Sequence, residues 1–402
     1  MNNLIKLNIN QTNMRNLLFL LTVITCCTFS SCSNKPGNPQ QAGNEYVGEL
    51  QKISNTYAEL SKVVDSMSTG LSDIEKERAA FFLVSTYSLV MESYVEKGDP
   101  AEPGLTVWMS PTRKFAGDNP YTIYTQAPVD SNFVYKLSGK LGNAMYLGIQ
   151  VYGYANGFNL PTANLALKNI VLNDDKTFEV YLSSVKPESA KNWVHLANGD
   201  HAFLVREYFK ERNSVIPAEL KIERVDNNTA PGLTYQKRLE KANRMLTDYI
   251  LGTIDVCSIL KENALNHYAS KDAQVRTPKY GGALYPTRDN KYEGCWVSLK
   301  QGEALHLHGY LPKNALYASY VFYDRWYNTP DYRKINSYRT MDEIVLNADS
   351  SFDLYVSPET INHPNWINTG GLYEGSYSSR YMLSDETDFP SVEVVQISTI
   401  KP

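Results

Sequence analysis

Between Glu45 and Gly70 apolar residues recur at Leu50, Ile53, Tyr57, Leu60, Val63, Val64 and Met67. Spacings of three and four put them on one face of a helix. Ser72 and Glu75 have the spacing of a capping box for a second helix, which Gly98 and Pro100 stop. Ala79, Phe82, Leu83, Leu89 and Val90 are its expected buried face. From about Trp108 the pattern changes to short runs rich in Val, Tyr, Ile and Thr, broken by Gly, Asn, Asp and Pro, as strands and turns require. A polar break at 227–232 leads into a third helix, with Leu239, Ala242, Leu246, Tyr249 and Ile250 on one face, and strands resume after Gly281.

The two strand-rich regions repeat each other. Ile170-Val171-Leu172-Asn173, Asp175 and Phe178-Glu179-Val180-Tyr181-Leu182-Ser183 return as Ile344-Val345-Leu346-Asn347, Asp349 and Phe352-Asp353-Leu354-Tyr355-Val356-Ser357. Asn143-Ala144-Met145-Tyr146 returns as Asn314-Ala315-Leu316-Tyr317, Asn192-Trp193-Val194 as Asn365-Trp366-Ile367, and Arg206 as Arg380. Each copy reads as an apolar strand, a polar turn and an alternating strand with one wet side. The expected fold is α+β, mainly β: two β-sandwich or jelly-roll-like domains related by internal duplication, with an N-terminal helical hairpin and a helical connector. The boundaries expected are a signal peptide at 1–31, a tether at 32–44, a helical region at 45–107, a first β domain at 108–226, a connector at 227–280 and a second β domain at 281–402.

The N-terminus sets the expected compartment. Arg15 precedes an apolar run from Leu17 to Phe29, too short to span a bilayer and followed by Ser30, Ser31 and Cys32. This is the order of a secretory signal, and Phe29-Ser30-Ser31-Cys32 resembles the lipobox of bacterial lipoproteins, so Cys32 is the expected lipidation site. Met1 and Met14 both stay open as the start. Residues 33–42 form a polar, Pro-containing tether without an acidic cluster, which favours the periplasmic face of the outer membrane over the cell surface. Several acyl chains hold a protein to a membrane stably.

Beyond the signal and Cys32 only Cys257 and Cys295 remain, enough for one disulfide or two free thiols. Thirty-nine basic against 43 acidic residues, with neither in long blocks, argue against a nucleic-acid partner. The 29 tyrosines suit half-buried strands and ligand-facing surfaces alike.

Candidate chemistry is sparse. His306 and His308 are two apart, so a strand aims both imidazoles to one side as a metal pair needs. No third ligand is spaced nearby, and the matching segment of the first copy is Tyr135-Lys136-Leu137-Ser138. A strand's polar face is the plainer reading, and neither a metal nor a cofactor is expected. Ser183 and Lys186 have the Ser-x-x-Lys spacing, but the serine closes a strand and no Lys-Thr-Gly follows. Nucleophile elbow, P-loop, dinucleotide fingerprint and His-Glu-x-x-His are all missing. The duplicated Asn-Trp and Arg positions remain. An Arg can hold a carboxylate, sulfate or phosphate and a Trp can stack on a ring, while both can equally serve the scaffold.

With these residues in view, the chain resembles the domain of unknown function 1214 family. The resemblance rests on His363-Pro364-Asn365-Trp366-Ile367-Asn368-Thr369-Gly370-Gly371, Glu374-Gly375 and Arg380. Asp99-Pro100, Gly117-Asp118-Asn119-Pro120 with Tyr124, Asn192-Trp193 and Glu303-Ala304-Leu305 are also similar, so it covers the chain from about Ser72 to the end. One departure is Gly371-Leu372-Tyr373, where relatives place a His. The resemblance implies sandwich-type β domains, is compatible with homo-oligomers, and carries no established activity.

The leading expectation is an envelope lipoprotein that binds a small-molecule or carbohydrate ligand through an aromatic and Arg-lined cleft. Its candidate ligand-binding residues are Asp118, Asn119, Tyr124, Trp193, Arg206, Glu303, Asn365, Trp366 and Arg380. The alternatives are an enzyme of unassigned class, with Asp118, Tyr124, Glu303 and Arg380 converging on an organic or carbohydrate substrate, and a scaffold partner of an envelope complex. No catalytic residue is assigned.

Overall fold

A computed structural model describes residues 44–155, 158–269, 285–385 and 388–401. The expected signal peptide, Cys32 and nearly all of the expected tether lie outside the described residues, as does 270–284 between the connector helix and the strands that follow it. Among the described residues no helix is long and apolar enough to cross a membrane.

Three helices form as their caps and stripes predict. Helix α1 (Glu45–Met67) starts at Asn44, whose side chain accepts from the Tyr46 and Val47 backbone N–H groups. Helix α2 (Asp73–Val90) carries the capping box, with the Ser72 N–H donating to the Glu75 carboxylate at 3.0 Å. It runs on as a π-helical stretch, Met91–Glu96, to the expected stop before Gly98. Helix α3 (Tyr235–Asn263) begins after the polar break, and all five residues of its expected apolar face are buried. Although α1 and α2 are consecutive, α1 lies mainly along α3 rather than forming an isolated hairpin with α2. Ile53, Leu60 and Val64 carry its packing, whereas Leu50 and Met67 at the ends of its stripe are exposed.

The strands build four sheets. In the first copy β1 (Thr106–Met109), β2 (Thr122–Pro128), β4 (Tyr146–Ala155), β5 (Phe158–Ala166) and β8 (Asp200–Tyr208) join in the order β1-β2-β8-β4-β5. The second sheet of this copy takes β3 (Tyr135–Lys140), β6 (Thr177–Ser183), β7 (Asn192–His195) and β9 (Glu219–Arg224), in the order β7-β6-β3-β9. The second copy repeats both, except that among the described residues its inner sheet has no counterpart of β1. Strands β10 (Asn290–Ser298), β12 (Tyr317–Tyr323), β13 (Tyr338–Thr340) and β16 (Glu374–Met382) run β10-β16-β12-β13. Strands β11 (Glu303–Tyr310), β14 (Ser351–Ser357), β15 (Trp366–Asn368) and β17 (Ser391–Gln396) run β15-β14-β11-β17. Pairing is antiparallel except at one edge of each outer sheet, where β6 with β7 and β14 with β15 run parallel.

The duplication extends to single atoms. Lys176 and Ser350 both adopt left-handed backbone, φ 65° and 68°, and the Asp175 and Asp349 carboxylates each accept from the backbone N–H two residues on at 3.0 Å. The matching acidic residues are therefore turn formers. Asn192 and Asn365 act as identical braces. Each side chain accepts from one backbone N–H (Val171 or Val345) and donates to two carbonyls, those of Val171 and Glu179 or of Val345 and Asp353.

Alternation along the strands sorts the side chains into layers. Leu147, Ile149, Val151, Phe203 and Val205 face Phe178, Val180 and Leu182 inside the first sandwich, while Tyr320, Tyr377 and Tyr381 face the Phe352 side of the second. The opposite faces of the two inner sheets carry Tyr124, Tyr146, Tyr152, Arg206 and Tyr208 in one copy, and Tyr292, Tyr317, Tyr323 and Arg380 in the other. These faces turn toward each other: Tyr208 packs on Tyr317 with ring centroids 5.3 Å apart. Leu204, Tyr124 and Tyr152 also enter the core that the helices build with Trp108, Phe115 and Trp326.

Candidate functional site

The layer between the inner sheets is polar where a core would ordinarily be aliphatic. In it the duplicated arginines stand at equivalent register, Arg206 opposite Tyr124 and Arg380 opposite Tyr292. Each reaches into the other copy. Arg206 Nη2 donates to the Tyr285 carbonyl at 2.9 Å, and Arg380 Nη2 donates to the Gly117 carbonyl at 3.0 Å and to the Tyr323 hydroxyl at 3.1 Å. Gly117 lies seven residues before Tyr124 and Tyr285 seven before Tyr292, so the two contacts are one contact made twice.

Both guanidiniums are buried, with 3 % and 6 % of their surface exposed, and among the described residues neither meets a carboxylate in an ion pair. Burial alone would weaken their protonation, but the surrounding tyrosine oxygens, Tyr152 foremost at Arg206 and Tyr323 at Arg380, outweigh it and hold both guanidiniums above their ordinary range. Among the described residues Arg206 Nη1, Arg380 Nε and Asn119 Nδ2 have no hydrogen-bond partner, and neither has Asn290 Oδ1. Asn119 Oδ1 accepts from the Tyr317 hydroxyl at 3.0 Å, and Asn290 Nδ2 donates to the Tyr208 and Tyr292 hydroxyls, both at 3.0 Å. Buried donors left open in this way call for water or a ligand.

Asp118 sits beside this layer, committed elsewhere. Its carboxylate accepts from Lys114 Nζ at 3.2 Å and from the Thr329 N–H and hydroxyl at 2.9 and 2.6 Å. Burial pushes the Lys114 ammonium down, partly offset by Asp118, and its head lies 3.9 Å from the centre of the Tyr332 ring. Asp324, pushed up by burial, is held by Arg78 at 2.6 Å.

The structure thus gathers Asp118, Asn119, Tyr124, Arg206 and Arg380 from the candidate residues and leaves the others apart. Glu303 begins β11 in an outer sheet, where its carboxylate accepts from the Lys300 N–H at 2.8 Å. Trp193 and Trp366 lie on the parallel edge strands, bonded to the Ser183 hydroxyl and the Ser357 carbonyl, and Asn365 is spent on its brace. Ser183 Oγ donates to the Val185 carbonyl at 2.7 Å, closing a turn. Sequence reasoning missed Tyr208, Tyr292, Tyr323 and Asn290. Strand alternation with Arg206 would have placed Tyr208 on the same face, whereas Tyr292 meets Arg380 only through cross-strand register.

A groove of about 570 Å³ opens where the copies meet, between Met145, Tyr146, Leu167 and Lys168 on one side and Asn314, Leu316 and Leu383 on the other. It is mostly apolar and holds neither arginine. Tyr146 joins the two features: it lines the groove and packs edge-on against Tyr208, centroids 5.7 Å apart. Cys257 and Cys295 are free and buried, and burial raises both thiols.

One expectation about the histidines changes. The sequence shows no third metal ligand near His306 and His308, yet β14 places Asp353 directly opposite His308. A cross-strand neighbour 45 residues away leaves no local trace in the chain.

Comparison with known proteins agrees with this fold. Residues 282–382 match the model of a family described as "Protein of unknown function (DUF1214)", the family that the motif from His363 to Arg380 resembles. The chain is similar to the crystal structure of an uncharacterised protein from Burkholderia cenocepacia, with a TM-score of 0.79 at 22 % identity over 89 % of this chain and 99 % of that one. A protein from Vibrio parahaemolyticus aligns over 87 % of this chain and 100 % of its own at 10 % identity, with a TM-score of 0.43. No curated protein matches in sequence.

Proposed function

We propose that this protein binds a small organic anion, a carboxylate or a phosphate ester, in the tyrosine-lined layer between its two inner sheets. The supporting observation is the pair of buried arginines, one from each copy, that lie against tyrosine rings and, among the described residues, meet no carboxylate and keep open N–H groups. An uncompensated buried charge is costly, and a bound anion supplies both the counter-charge and the missing acceptors. Arg suits this because its planar fork donates to two oxygens at once. The tyrosine rings would cover the organic part of the ligand and the groove beside Tyr146 would be its approach. The setting is the bacterial envelope, with the chain tethered to the outer membrane through Cys32 and facing the periplasm.

A thermal-shift screen of carboxylates, phosphate esters and neutral sugars tests the reading, because a ligand selective for the folded state raises its melting temperature. Anions are expected to raise it and neutral sugars of similar size to leave it unchanged, with the shift lost in Arg380→Lys, which keeps the charge but not the fork. A shift from neutral sugars alone, or an anion shift that survives in Arg380→Lys and Arg206→Lys, contradicts it. For the anchor, Cys32→Ser should release the protein into the soluble fraction, and continued membrane association refutes lipidation.

A further inference from the structure

On the solvent face of the second outer sheet, His306 and His308 of β11 converge on one carboxylate of β14. Asp353 Oδ1 lies 2.7 Å from His306 Nε2 and 2.9 Å from His308 Nδ1. The ligand-capable atoms of the three residues all fall within 4.8 Å of one another. Asn347 Nδ2 holds the second carboxylate oxygen at 2.8 Å, so Oδ1 is the atom presented to the imidazoles. From β17 the Glu393 carboxylate stands 3.3 Å from the far nitrogen of His306, Nδ1, and the Tyr355 ring stacks on the same imidazole with centroids 4.7 Å apart.

We propose that His306 Nε2, His308 Nδ1 and Asp353 Oδ1 bind a divalent transition metal of the zinc class, with water in the remaining position. Two imidazoles and one carboxylate form an established zinc donor set. Ligand atoms around tetrahedral zinc lie about 3.3 Å apart, so small side-chain rotations open the present contacts enough to admit the ion. The Glu393–His306 contact is the outer-shell carboxylate that fixes a metal-binding histidine in the tautomer that leaves the other nitrogen free. Imidazole ligands suit zinc, copper and nickel over magnesium or calcium.

The first copy is an internal contrast. At the positions of His306, His308, Asp353 and Glu393 it carries Lys136, Ser138, Glu179 and Glu223, paired in the same register. There Lys136 Nζ meets Glu179 at 3.3 Å, an ordinary ion pair of a solvated face. One scaffold thus holds a lysine against the carboxylate in one copy and, in the other, two imidazoles converging on it. Scaffold needs do not demand that difference, since the lysine version satisfies the same sheet.

The test is calorimetric titration of Zn2+ into the full chain without an affinity tag, with Co2+ absorption as a second readout. The proposal expects one site per chain and the visible band of tetrahedral Co2+ displaced by Zn2+. In His308→Ala and Asp353→Asn the affinity should fall at least about tenfold, since loss of even an outer-shell partner costs 10- to 100-fold. Lys136→Ala in the first copy should leave it unchanged. Absence of a Zn2+ site in the wild-type chain, or a site that persists in His306→Ala/His308→Ala, overturns the assignment. His308 is exposed while His306 and Asp353 are half-buried, and unchanged melting of the metal-free variants would show that they still fold.

Discussion

Arg206 and Arg380 exchange partners across the duplication: each guanidinium is tied to a backbone carbonyl of the opposite copy, seven residues before the tyrosine that its counterpart strand pairs with. The two copies are therefore clasped rather than merely adjacent, and the clasp uses only part of each guanidinium's capacity.

Removing either half of the clasp should cost about 2–4 kcal/mol, because the lost hydrogen bonds, the acceptors left unpaired and the void left by the side chain outweigh the relief of the buried charge. Arg206→Ala and Arg380→Ala should both show this in urea unfolding. Because both guanidiniums tie the same two copies together, the double variant should depart from the sum of the singles by more than about 0.5 kcal/mol, the usual limit for independent sites.

Asn192 and Asn365 serve the scaffold, so Asn192→Ala and Asn365→Ala should each destabilise by about 2–4 kcal/mol, since three hydrogen bonds are lost and backbone groups orphaned. Equilibrium unfolding measures this. Anion-induced shifts, scaled to the lower starting stability, should persist in both variants.

Lys176 and Ser350 hold left-handed backbone, which costs a non-glycine residue roughly 1–2 kcal/mol. Lys176→Gly and Ser350→Gly should gain part of that back, a net stabilisation of about 0.5–1 kcal/mol after the unfolded-state entropy of glycine is counted. Urea midpoints compared at constant slope would check it.

His201, bonded through Nε2 to Asn159 Oδ1 at 2.9 Å, has its pKa lowered from the ordinary 6.5 to about 3, chiefly by burial and further by Lys241 and Arg244. The unfolded chain then binds the proton more readily than the folded one. Stability from the neutral ring is complete above about pH 6.5 and is lost progressively as pH falls toward 3. The stability difference between wild type and His201→Gln should accordingly shrink between pH 7 and pH 5, measured by urea unfolding at each pH.

Much of the fold is legible in the chain because it is locally encoded. The stripe from Leu239 to Ile250 needs only helical periodicity, and the turns at Asp175 and Asp349 need only neighbours within four residues. The repeat makes the second sandwich readable from the first. What the chain conceals is contact between distant strands. Nothing near His308 announces Asp353, and nothing near Arg380 announces the Gly117 carbonyl, 263 positions away. The parallel edge pairs were hidden for the same reason, since a short strand carries no mark of its partner's direction. Glu303 and the two tryptophans looked like site residues because they stand in a motif, yet strand order puts them in the outer sheets.

Anion binding requires that the open donors of the clasp face one ligand. A crystal structure of the protein with the anion that gives the largest thermal shift tests this most directly. Density within hydrogen-bond distance of Arg206 Nη1 and Arg380 Nε is the predicted result. An anion bound only at the surface, with ordered water completing both guanidiniums, would contradict it.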